Sequence, residues 1–174
     1  MLTRTAVQTR PLTHADRAPL GALLARIPQF SPDEVEVALE LIDASLHDPV
    51  TSGYACLVAH DGAVVGYICF GPTPMTESTW DLYWIAVAPE RQGQGIGRAL
   101  YDGFVAHIRA QGGRHIRIET SSKESYAATG GFYERLGFSV DGRLRDFYAD
   151  GDDLLIFYRE FPQSSGRARP DDLG

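Results

Sequence analysis

Residues 87–100 read "VAPERQGQGIGRAL", and how this stretch is read decides the fold. Gly93, Gly95 and Gly97 alternate between two segments of different periodicity. Upstream, "WDLYWIAV" (80–87) is an aromatic and β-branched run closed by Pro89, which predicts a strand. Downstream, Ile96, Leu100, Phe104 and Ile108 recur every fourth residue, which predicts a helix that begins inside the glycine cluster. A strand, a glycine turn and a helix N-terminus together make an anion site. The first helical N–H groups have no intrahelical partners, and the helix dipole adds partial positive charge there. Glycine lets that backbone approach a phosphate without a Cβ in the way.

Three phosphate-bearing ligands compete for such a turn. A P-loop needs Lys after its last glycine, and Arg98 and Ala99 follow Gly97, so that reading fails. A dinucleotide turn G-x-G-x-x-G begun at Gly93 needs a glycine where Arg98 stands; begun at Gly95, it needs one at Leu100. Glu119 lies near the distance of a ribose-binding acid, so a nicotinamide-nucleotide enzyme stays as a weakened rival. The third ligand is the pyrophosphate of coenzyme A.

Working outward, the chain alternates between the two periods. "TAVQTR" predicts a first strand, and Leu20, Leu23, Leu24 and Ile27 mark one helical face. Ser31, Pro32 and Glu34 open a second helix as N-cap, first turn and capping box. "YACLVAH" and "AVVGYICF" form a hairpin through Asp61-Gly62. After the glycine helix, "RHIRIET" alternates as a strand, and "AATGGFYERLGF" is a short helix stopped by Gly137. "FSVDGRLRDFY" and "LLIFYREF" are two last strands around Asp150-Gly151. The expected order is β-α-α-β-β-β-α-β-α-β-β: an α/β domain with a mixed, mostly antiparallel sheet of about seven strands and about four helices on both faces.

Composition narrows the partners. At 174 residues the chain suits one domain with an adequate core. A net charge of −7 argues against nucleic acid as the main partner, while Arg91 and Arg98 leave a basic spot beside the glycines. Cys56 and Cys69 each sit in an apolar run and read as reduced core residues. No segment has the apolar length of a signal peptide or a membrane span, so a cytoplasmic protein without a membrane partner is expected. The histidines lack metal-ligand spacing, so no metal is expected.

The turn resembles that of the GNAT superfamily of acyl-CoA-dependent N-acyltransferases. "QGQGIG" fits their Q/R-x-x-G-x-G/A pattern through Gln92, Gly95 and Gly97, and "WIAVAPE" is similar to the strand that precedes it. "FYERLGF" (132–138) resembles the family's second signature, in the family's order and with one helix and one strand between. The resemblance implies a single N-acetyltransferase domain over residues 1–162, followed by a polar tail, 163–174, expected to be disordered. It implies acetyl-CoA as co-substrate and an amine acceptor, in a monomer or homodimer. Cofactor contacts are expected from Ile85, Ala86 and Val87 on the strand, and from Gln92, Gly93, Gln94, Gly95, Ile96, Gly97 and Arg98 at the turn. Tyr133 is the expected donor to the departing thiolate, because a phenol can give a proton or a hydrogen bond to that sulfur. An ammonium acceptor must lose a proton before attack; Asp81 is the first candidate base and Glu119 the second. Neither cysteine has an evident base partner, which disfavours a covalent intermediate.

Two departures stand out. Tyr126 occupies the place where the family often has a cofactor-contacting asparagine. Gly130-Gly131 interrupts the short helix, which predicts either a helix starting near Gly131 or a close approach to a ligand. A non-catalytic acyl-CoA sensor is therefore a further alternative. For the acceptor, Asp146, Tyr148, Asp150, Asp152 and Asp153 in the last hairpin, and Trp80, Tyr83 and Trp84, are candidates, against turn chemistry and core packing respectively.

Overall fold

The computed structural model describes residues 6–162. The first strand, β1, is Gln8–Pro11; α1 (Arg17–Leu24) and α2 (Pro32–His47) follow, then β2 (Ala55–His60), β3 (Val64–Pro72) and β4 (Thr79–Val87). Next come α3 (Ile96–Ala110), β5 (His115–Ser121), α4 (Ala127–Arg135), β6 (Ser139–Ala149) and β7 (Asp152–Glu160). The expected tail, 163–174, lies outside the described residues. The seven strands form one sheet in the order β1-β2-β3-β4-β5-β7-β6. Neighbours are antiparallel except β4 and β5, which α3 joins as a parallel pair.

Local chemistry accounts for the elements. Ser31 Oγ accepts a hydrogen bond from the Glu34 N–H, and the Glu34 carboxylate accepts one from the Ser31 N–H at 2.7 Å, closing the capping box of α2. Ile96, Leu100, Phe104 and Ile108 are all buried on one face of α3. Each such side chain contributes about 2 kcal/mol by leaving water. They pack with Phe70, Ile116, Ile118, Tyr133 and Phe157 on one side of the sheet, while α1 and α2 cover the other with Leu20, Leu23, Leu24 and Ile42. Helix α4 runs straight through Gly130 and Gly131. The expected start near Gly131 does not hold, because tertiary packing outweighs a propensity cost of about 1 kcal/mol each.

What positions a site is a fork in the sheet. β4 and β5 pair only from Thr79–Asp81 to His115–Arg117. Beyond this, β4 stays paired to β3 as far as Val87, and β5 to β7 as far as Ser121. Trp84 lies opposite Cys69 and Leu82 opposite Phe70, so Tyr83 is an extra residue on β4. Such a bulge bends its strand, here at the point where the two strands part.

Candidate active site

The glycine turn sits at the end of the open β4 limb. Gly95 has φ +80 and forms the N-cap of α3 without a side-chain cap. A Cβ built there would meet nothing within 4 Å, so the left-handed backbone requires glycine and the space around it is open. Gly97 is different: a Cβ there would stand 3.2 Å from the Phe132 ring. That glycine lets α3 pack against α4. Arg91 is tied to Asp61 of the β2–β3 hairpin at 2.6 Å, which anchors the turn. Arg91 Nε also donates to Gln94 Oε1 at 3.0 Å, and Gln94 Nε2 donates to the Glu90 carbonyl.

A cleft of about 500 Å³ opens in front of the turn, a size suited to a small organic ligand. One wall is Ile85, Ala86 and Val87 of β4, continued by Gln92, Gly93, Gly95, Ile96, Gly97 and Arg98. The structure thus brings nine of the ten predicted cofactor residues together. Gln94 is the exception, because it braces the outside of the turn. Opposite stand Ala128, Thr129, Phe132 and Arg135 of α4, with Tyr126 at its N-cap and Gln29 and Phe30 from the α1–α2 connection. These were not predicted as cofactor contacts. Phe132 and Arg135 lie inside the quoted "FYERLGF"; Gln29 and Phe30 arrive by chain reversal and leave no local signal.

The uncapped N-terminus of α3 offers the N–H groups of its first turn, and Arg98 and Arg135 add positive charge. This fits a diphosphate. Arg98 is paired with Asp102 one turn on, at 2.8 Å, but both are exposed, and such a pair is worth little against a phosphate. The unpaired edge of β4 leaves backbone groups free to bind an extended amide chain.

The three catalytic candidates fare differently. Asp81 is buried, and both of its oxygens are engaged: one by Arg117 Nε at 2.7 Å, the other by Thr73 Oγ1 at 2.8 Å. It holds the base of the fork together. Glu119 lies on the open limb of β5 with its side chain 44% exposed and Arg117 Nη1 at 3.5 Å. Tyr133 is packed behind the cleft wall against Phe132, Phe138 and Phe157, and burial pushes its phenol well above the usual value. Phe132, not Tyr133, lines the cleft.

Most acceptor candidates serve structure. Asp153 is paired with Arg143 and also accepts the Asp146 N–H, Asp146 accepts the Gly151 N–H at 2.7 Å, and Asp152 accepts from Ser121. Trp80 packs in the core near His107, Tyr83 lies edge-on to Tyr54, and Trp84 lies edge-on to Phe30. Tyr148 is about half exposed on β6. Among the described residues, no helix is long and apolar enough to cross a membrane, and no group of three potential ligands is placed to hold a metal ion.

Comparison with known proteins supports the same region. A solved structure from Desulfovibrio desulfuricans, described as of the GNAT acetyltransferase family, is 44% identical, with a TM-score of 0.85 over 89% of this chain and 99% of its own. A 5-NmdU N-acetyltransferase of Pseudomonas phage PaMx11 is 33% identical over 105 residues, 60% of this chain and 68% of its own. Other curated relatives are matched over as little as 20% of their length. A Salmonella typhimurium structure solved with acetyl-CoA shares the fold at 22% identity, with a TM-score of 0.70 over 96% of this chain and 99% of its own. The model of the acetyltransferase (GNAT) domain matches residues 52–140, from the strand pair behind the cleft through the fork, the glycine turn and α4, and the chain therefore belongs to the GNAT family of acetyltransferases.

Proposed function

We propose that this protein transfers acetyl from acetyl-CoA to a primary amine by direct attack in a ternary complex. The observation that carries the reading is the continuity of the cleft, which runs from the uncapped α3 N-terminus along the unpaired β4 edge. On this reading the N–H groups at the turn hold the pyrophosphate, and Gly95 keeps their approach clear. The backbone groups around Ile85, Ala86 and Val87 that face the unpaired edge of β4 bind the pantetheine amides, and one N–H polarises the thioester carbonyl. The acceptor enters from the open side of the fork. Glu119 takes its proton, directly or through water, because it is the solvent-reached carboxylate on the splayed limb. Asp81 is not available for that step, since Arg117 and Thr73 already occupy both of its oxygens.

Tyr133 is the donor to the departing thiolate. Burial keeps its phenol protonated, as a donor must be, and its ring packs against Phe132, which lines the cleft. Its retreat from the cleft wall is also the observation favouring a second reading, an acyl-CoA-binding protein without turnover. The dinucleotide rival has no support in the fold: β4–α3–β5 supplies the one parallel pair among the described strands, where a doubly wound sheet has several.

Calorimetric titration with acetyl-CoA, followed by thiol release over a panel of primary amines, tests the proposal. Binding plus release with at least one amine is expected. Binding without release for any amine leaves the second reading, and absence of binding removes both.

A further inference from the structure

Tyr126 does not substitute for an asparagine in any simple sense, because its hydroxyl turns to the other wall. Tyr126 Oη donates to Glu34 Oε1 at 2.5 Å and lies 3.4 Å from the Gln29 carbonyl oxygen. Glu34 cannot swing freely, because its second oxygen accepts the Ser31 N–H in the capping box of α2. The bond therefore joins the N-terminus of α4 to the N-terminus of α2, across 92 residues of sequence. Just before α2, the connection carries Ile27, Gln29 and Phe30 into the cleft wall. Phe30 is seated from the other side by Trp84, with ring centroids 5.3 Å apart.

The two groups have opposite protonation tendencies. Burial and the Glu34 carboxylate both raise the Tyr126 phenol. Burial would raise Glu34 as well, but the hydrogen bonds from Tyr126 and Ser31 outweigh it and hold the carboxyl below its usual range. A neutral phenol thus donates to an ionised acceptor, the stronger kind of hydrogen bond.

We propose that the Tyr126–Glu34 bond is a clasp that seats the 27–30 connection as a preformed wall of the acyl-donor cleft. Tyr126 is then a positioning residue for the donor. The inference rests on reading the cleft as the acetyl-CoA site. Its physical content is preorganisation: the loop is ordered when the chain folds, so binding does not bear that cost. Loss of the clasp lowers donor affinity and leaves the chemistry of the bound complex alone.

Three variants test this: Tyr126→Phe, Glu34→Ala and the double variant. Tyr126→Phe keeps the ring and is expected to weaken CoA binding by about tenfold, the effect of losing one charge-assisted hydrogen bond. It should raise the KM for acetyl-CoA in step while kcat at saturation stays within about twofold. Glu34→Ala also removes a helix cap, but in the double-mutant cycle that loss cancels. In the Glu34→Ala background, Tyr126→Phe should change CoA affinity no further. A Tyr126→Phe protein with wild-type CoA affinity, a fall in kcat without a change in KM, or additive losses in the cycle overturns the clasp alone. A wild-type protein that takes up no CoA overturns the reading of the cleft, and the clasp with it.

Discussion

The two ends of the β4–β5 fork are built from the same two strands and treat their carboxylates in opposite ways. At the closed end Asp81 and Arg117 are register partners, and the carboxylate is buried and bound on both oxygens. At the open end Glu119 has no β4 neighbour, and its side chain is 44% exposed. The residue types do not decide this; the presence or absence of the adjacent strand does. Where the strands meet, charge is used up in holding them together. Where they part, it stays open to solvent beside Arg117.

Substitutions can break or sharpen that contrast. The largest effect is expected at the open end: Glu119→Gln should lower kcat by about 100-fold, the usual scale for losing a general base, with an unchanged thermal midpoint. Steady-state CoA release and a melting curve on the same protein check both halves. Tyr133→Phe should lower kcat on a similar scale, about tenfold to 100-fold, while calorimetry shows CoA affinity nearly intact. At the closed end, Asp81→Asn should cost about 2 kcal/mol of stability, less than a fully buried pair because Arg117 is partly exposed. Denaturant unfolding measures that loss, and the folded fraction should retain its kcat. An Asp81→Asn protein with native stability and no turnover would return Asp81 to the role of base. The smallest effect is expected at the turn. Gly95→Ala forces a side chain into a left-handed conformation at about 1–2 kcal/mol, read as a lower melting temperature and weaker CoA binding together.

Periodicity carried much of the fold. Ile96, Leu100, Phe104 and Ile108 mark α3 by their spacing, and Ser31 with Glu34 marks the start of α2 by capping chemistry. Such signals are local, and local signals survive in a sequence. The site was legible where it is contiguous, from Ile85 through Arg98, and lost where it is assembled through space. Nothing near Asp81 announces Arg117, 36 residues away, and nothing near Tyr126 announces Glu34. The bulge at Tyr83 is a further reason. It puts Tyr83 and Trp84 toward the same side of the sheet, so strict alternation along β4 does not tell which aromatic faces which layer. Gly97 shows the converse: it was singled out from a phosphate pattern, yet its neighbour is the Phe132 ring, which no such pattern implies.

The placement of the two tryptophans gives this molecule its own optics. Trp80 is buried near Phe70 and His107 at the closed end of the fork, so its emission should report only on the integrity of the fold. Trp84 touches Phe30, which lines the cleft from the α1–α2 connection. Its indole therefore stands one ring away from whatever fills the cleft, and its emission is a label already written into β4.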